Sequence, residues 1–215
     1  MRAKSYTVET IIFVMMVAAF LIETRSLISA FLPVHLSVYE LDYLFRGLVV
    51  IALLGLSTSR RAIGEMPGVR SDSAVALLAV LWVTGASVLF HQTIHRFLYR
   101  LFWDPADFTW PPIESEPERL FDLTVGLLLV AITEELIFRK FARRHFDRQG
   151  LRPDQIIFRS GLLFGLIHWE QGVASVLNAW VFGALAMAAY IQTNRLWVPI
   201  VAHYIVNLLI FGGWI

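Results

Sequence analysis

The 215-residue chain contains no cysteine. That excludes a disulfide framework, a thiolate metal site and a cysteine nucleophile, so any catalysis must use carboxylate, imidazole, amide or hydroxyl groups. Charge is scarce as well. Asp, Glu, Lys and Arg make up 16% of the residues, against roughly 25% in ordinary soluble domains. The formal net charge is +1, which lacks the basic surplus that nucleic-acid binding needs, so nucleic acid is not expected as a partner. No internal repeat or low-complexity tract is evident.

What fills the chain instead is apolar: 57% of it is hydrophobic and the mean hydropathy is +0.64. This predicts an all-α fold, a polytopic transmembrane helix bundle with the lipid bilayer as its first partner. Apolar runs measured against a span of about 20 residues place helices near 7–24, 37–57, 73–95, 120–138, 156–168, 173–192 and 196–214. The fifth is too short to cross alone. It should end inside the bilayer or continue irregularly through Trp169-Glu170-Gln171-Gly172, and irregular backbone at that depth survives only beside protein or a wet cavity. About seven spans leave no room for a soluble domain, so residues 1–215 are expected to form a single membrane domain.

Basic residues orient the set. Arg2 and Lys4 precede the first span, Arg60, Arg61 and Arg70 follow the second, Arg139 to Arg152 follow the fourth, and Arg195 follows the sixth. With alternating spans they share one side, which places the N-terminus in the cytoplasm and the C-terminus outside. Arg96 and Arg100 stand against that scheme. The acidic, Trp-bearing stretch from Trp103 to Glu118 falls outside. Arg2 and Lys4 before an apolar run also resemble a signal peptide, but the run is long and Ser29-Ala30-Phe31 is a weak cleavage site.

Three polar patterns break the apolar core segments: Glu134-Glu135-Leu136-Ile137-Phe138-Arg139, Phe164-Gly165-Leu166-Ile167-His168 and His203-Tyr204-Ile205-Val206-Asn207. Charges at membrane depth cost on the order of 2.5–3.5 kcal/mol each on insertion scales, so they persist only with partners or a task. Successive helical residues are rotated by about 100°, so Glu134 and Glu135 cannot serve the same spot. Glu135 has Arg139 four residues on, at the cytoplasmic end of its span, and is expected to be structural. Glu134 has Phe138 there instead and no local counter-charge, which makes it the candidate general base. His203 and Asn207 share a helix face and together suit an oxyanion. Phe164 and His168 share another, where His168 helps orient the attacking water and Phe164 packs behind it.

Each pattern alone has a bland reading. An adjacent Glu pair is usually solvated, a lone histidine is usually a packing residue, and His-x-x-x-Asn is common interhelical glue. Elsewhere, His91 and His95 with Asp104 and Asp107 suggest an extracytoplasmic metal site, but spacing fixes no third ligand and interfacial histidines are expected. Asp42 and Arg46 are expected to neutralise each other within the second helix. Glu9, Glu23 and Arg25 fall at span ends and need no function.

Together, in this order, the three patterns resemble the EExxxR, FxxxH and HxxxN signatures of the CPBP family, the CAAX prenyl protease 2-like and Abi intramembrane endopeptidases. The likeness runs from about Phe121 to Ile215, which divides the chain into variable N-terminal helices at 1–119 and a motif-bearing protease core at 120–215. The first three helices carry no signature. The resemblance implies a helical protease of a bacterial or archaeal cell membrane, with a cavity open to the cytosolic side and the bilayer. It assigns Glu134 and His168 to water activation, His203 and Asn207 to the oxyanion, and Glu135 with Arg139 to support. Lys140 departs from the glycine that many relatives carry there. The substrate would be a peptide or protein with a membrane-associated segment, such as a CAAX-like tail, a leader or a C-terminal sorting signal.

The resemblance leaves metal dependence open. Glu134, His168 and His203 are possible zinc ligands, but there is no HExxH, and Asn207 is a better oxyanion donor than zinc ligand. A metal-free mechanism with no cofactor is preferred. The alternative function is a non-catalytic immunity or scaffold protein of the Abi type that keeps the motifs as polar glue. A transporter is disfavoured by the lack of inverted-repeat symmetry.

Overall fold

The computed structural model describes residues 2–18, with side chains from Thr10 onward, and 36–55, 70–105 and 107–215. The end of the first expected span, Glu23, Arg25, Ser29 to Phe31, Arg60 and Arg61 lie outside the described residues, as do the side chains of Arg2, Lys4 and Glu9. Among the described residues the fold is all-α. The helices are α1 (Arg2–Ala18), α2 (Val38–Gly55), α3 (Ser73–Phe102), α4 (116–148), α5 (Pro153–Leu166), α6 (Gly172–Thr193) and α7 (Trp197–Phe211).

Local chemistry sets several boundaries. The Asp72 carboxylate accepts from the Val75 amide at 2.8 Å and starts α3. Pro153 occupies the first turn of α5, where its missing N–H costs nothing. Asn194 closes α6 in a left-handed conformation, φ 52°, with its N–H bonded to the Tyr190 carbonyl.

Two elements outrun the sequence reading. The third helix continues past residue 95 to Phe102. The fourth was expected at 120–138 but spans 116–148 without a break, and its 33 residues (116 to 148 inclusive) rise about 50 Å. Two wider π-type turns, Asp122–Gly126 and Leu136–Phe141, let it absorb polar positions without ending. As a result Arg139 is not at the end of a span but in the core, at 0% exposure. The fifth segment is short, as expected: α5 stops at Leu166, and a 3₁₀ turn, Trp169–Gln171, leads into α6.

Two helices, Ser73–Phe102 and Trp169–Thr193, have the length and apolarity to cross a membrane, and Trp197–Phe211 is apolar but shorter. On α3 the outward residues Leu77, Leu78, Leu81 and Leu89 are 57–68% exposed. An apolar outer face of this size suits lipid rather than water.

The closest helix pair is α5 with α6. A Cβ at Gly161 would lie 2.9 Å from the Trp180 carbonyl and the Ala184 amide, so only glycine permits this approach. The pair presents Phe164 and His168 beside α7, which in turn packs on α3 and α4, while α2 leans on α4. Beneath these contacts is a layer with no solvent exposure to speak of: Ile137, Phe138, Phe141, Met187 and Val198 are all at 0–1%.

Candidate active site

A cavity of about 530 Å³ occupies one half of the bundle. Glu134, Phe164, His168, His203 and Asn207 all line it, brought from three helices and the turn after α5. Glu134 and Glu135 diverge, as helix rotation requires. Glu135 is fully buried and its carboxylate meets Arg139, Oε2 to Nε at 2.7 Å and Oε1 to Nη2 at 3.1 Å. The Arg139 guanidinium also lies over the Phe164 ring, 4.7 Å from its centroid, and the Phe138 carbonyl accepts from Ser160 at 2.5 Å.

Glu135 has a second contact that spacing did not reveal. Its Oε1 lies 2.9 Å from His203 Nδ1. A carboxylate facing a ring nitrogen accepts, so Nδ1 carries the proton and Nε2 is turned into the cavity. There it faces Glu134 Oε2 at 3.8 Å. The ring is held between Phe164, edge-on at 5.7 Å, and Phe182 at 4.7 Å. His168 lies just beyond the end of α5 rather than on it, with Nδ1 2.8 Å from the Phe164 carbonyl. A carbonyl only accepts, so His168 also presents Nε2 as its free nitrogen.

Glu134 does have a counter-charge, supplied by another helix. Arg46 of α2 reaches its Oε1 through Nη1 at 2.8 Å and holds Asp42 through Nε at 2.6 Å, and all three side chains are buried. The same Nη1 donates to Thr133 Oγ1 at 3.1 Å. The expectation that Asp42 and Arg46 only neutralise each other is therefore corrected, and α2, which carries no signature, supplies a residue to the site. The available signal was an arginine at membrane depth with more than one acid to satisfy. Helix periodicity relates residues within one helix and could not say that the second acid lies 88 positions away (134 − 46).

The cavity wall above this floor holds Tyr43, Asp122, Trp110, His91 and His95. Tyr43 donates to Asp122. His91 and His95 stack at 4.5 Å across the π-type turn of α3. They do not join Asp104 or Asp107 in a metal site, because no group of three or more His, Asp and Glu side chains that could hold a metal occurs among the described residues. The same holds for Glu134, His168 and His203. One Glu134 oxygen is held by a guanidinium, and His203, held through Nδ1 by Glu135, keeps Nε2 toward the cavity.

The cavity runs upward to Tyr39, Tyr99, Pro111 and Arg119. That end is opposite the 193–195 connection, where Arg195 holds the Ser71 carbonyl and Arg143 reaches Asn194. The cytosolic opening implied by the resemblance and the orientation read from the basic residues therefore cannot both hold.

Residues 116–209 match the family model for Rce1-like type II CAAX prenyl endopeptidases. Over that segment the chain is similar to the CAAX protease family. The matched stretch contains all three motifs, with His168 and His203 but not His91 and His95. No curated protein and no solved structure matches the chain. The match and the two long apolar helices support a membrane protein similar to CAAX-type proteases.

Proposed function

We propose that this chain is a CAAX-type protease that cuts a membrane-proximal peptide segment by direct attack of water, with Glu134 as general base. The observation that carries this reading is His203, which spans the two adjacent glutamates, Nδ1 on Glu135 and Nε2 toward Glu134. The scissile carbonyl lies in the cavity between Glu134 and Asn207. Glu134 takes one proton from the water while His168 Nε2 accepts the other hydrogen and fixes the attack direction. The oxygen adds to the carbonyl carbon, and the resulting oxyanion accepts from the Asn207 amide and from His203 Nε2. Collapse breaks the C–N bond, and Glu134 returns its proton to the leaving amine.

His203 can donate from Nε2 only when the ring carries both protons, because Nδ1 already donates to Glu135. In that form the ring lies between two carboxylates, Glu135 at Nδ1 and Glu134 Oε2 at 3.8 Å from Nε2. Glu135 and Arg139 hold His203 in place, and Arg46 fixes the Glu134 carboxylate. The seven-span bundle, the cytoplasmic N-terminus and the outer C-terminus belong to this reading. They are supported by the basic connections at one end of the bundle.

The test is cleavage of membrane-anchored reporter peptides by the purified chain in lipid. Cleavage that Glu134→Gln abolishes in a folded protein is the expected result. Cleavage that survives Glu134→Gln overturns the assignment.

A further inference from the structure

We propose that the catalytic cavity opens to the extracytoplasmic side, so that the substrate is a polypeptide segment on or beyond the outer leaflet. Three observations lead there. The first is the route. From Glu134 and His203 the cavity extends along α4 to Arg119, and along α3 to Tyr99. In the other direction Phe138, Phe141, Met187 and Val198 close the bundle at 0–1% exposure, and close-packed interiors of this kind admit neither water nor peptide.

The second is charge. The closed end carries Arg70, Lys140, Arg143, Arg144, Arg148 and Arg195, tied together by Arg195 on Ser71 and Arg143 on Asn194. The mouth end carries Arg96, Arg100 and Arg119, set among Asp104, Asp107, Glu114, Glu116 and Glu118. An excess of Lys and Arg in short connections marks the cytoplasmic face, whereas acidic residues contribute little. The closed end is therefore inside.

The third is depth. Trp103, Trp169 and Trp214, at 52–66% exposure, all lie at the mouth end, where tryptophan marks the membrane–water boundary. The mouth thus opens at the outer interface, where Trp110, Tyr39 and Phe108 offer aromatic walls to an extended chain. Only the identification of the occupant as substrate rests on the protease reading; the side of access does not.

The chain has no cysteine, so single cysteines report access directly. Glu114→Cys marks the exposed mouth, Ser175→Cys the cavity wall, and Gln149→Cys the closed end. Each full-length variant is treated with a membrane-impermeant maleimide in intact cells and again after lysis, with Asn178→Cys as a second cavity position in case Ser175→Cys does not fold. Glu114→Cys and Ser175→Cys should label before lysis, and Gln149→Cys only after it. Labelling of Gln149→Cys in intact cells would reverse the orientation and overturn the proposal. So would cavity cysteines that stay unlabelled until lysis while Glu114→Cys labels from outside. Labelling needs no proteolysis, so a failed protease reading, seen as cleavage that survives Glu134→Gln, is distinguished from a failed access reading.

Discussion

Two neighbouring glutamates carry nearly the same bond and live in different surroundings. Glu135 meets Arg139 at 2.7 Å inside one helix, in a layer where both side chains are at 0% exposure. Glu134 meets Arg46 at 2.8 Å between two helices, at the floor of a cavity. A buried pair with no access can only organise what touches it, and this one holds His203. A pair at a cavity floor has one carboxylate oxygen facing outward, where it can take a proton. Access, rather than the strength of the pairing, separates support from chemistry.

Several substitutions would break or sharpen that contrast. The largest effect belongs to Glu134→Gln, which keeps the shape and removes the base. Turnover per folded molecule should fall by about 10²–10⁴-fold, while folding holds because Arg46 keeps Asp42. Equal loss of activity and folding in Glu134→Gln and Glu135→Gln would erase the contrast.

Next is Arg139→Leu, which leaves Glu135 buried without its partner. Removing one member of a buried pair costs about 3–5 kcal/mol, so the yield of folded protein and its thermal midpoint in detergent should both drop. Unchanged stability would mean that the dry pair organises little.

Asn207→Ala removes one oxyanion donor from the cavity side and should lower kcat by about 10²–10³-fold with KM little changed. A rise in KM alone would make Asn207 a binding residue.

Arg46→Gln tests whether the bond between helices positions the base. Loss of a charge-assisted hydrogen bond of about 1.5–3 kcal/mol predicts a drop in kcat of about ten- to a hundredfold. Arg46→Lys should restore part of it, and a purely structural role would show as lost protein with normal turnover.

The smallest expected effect is that of exhaustive chelation, which should leave turnover unchanged. Activity that disappears with a stoichiometric metal and returns with zinc would replace the water mechanism.

The sequence by itself was enough for the helical class, the three motifs and the divergence of Glu134 from Glu135. All of these follow from composition and from the fixed rotation per residue of a single helix. It also marked α5 as short, because too few apolar residues precede His168. The length of α4 was hidden, because π-type turns let a helix run past Arg139 and the charges after it, where hydropathy signals an end. Three things depended on tertiary structure: the contact of Arg46 with Glu134, the hold of Glu135 on His203, and the direction in which the cavity opens. The physical reason is common to all three. Each joins residues from helices far apart in the chain, and periodicity within a helix says which side a residue faces but not which helix meets it there.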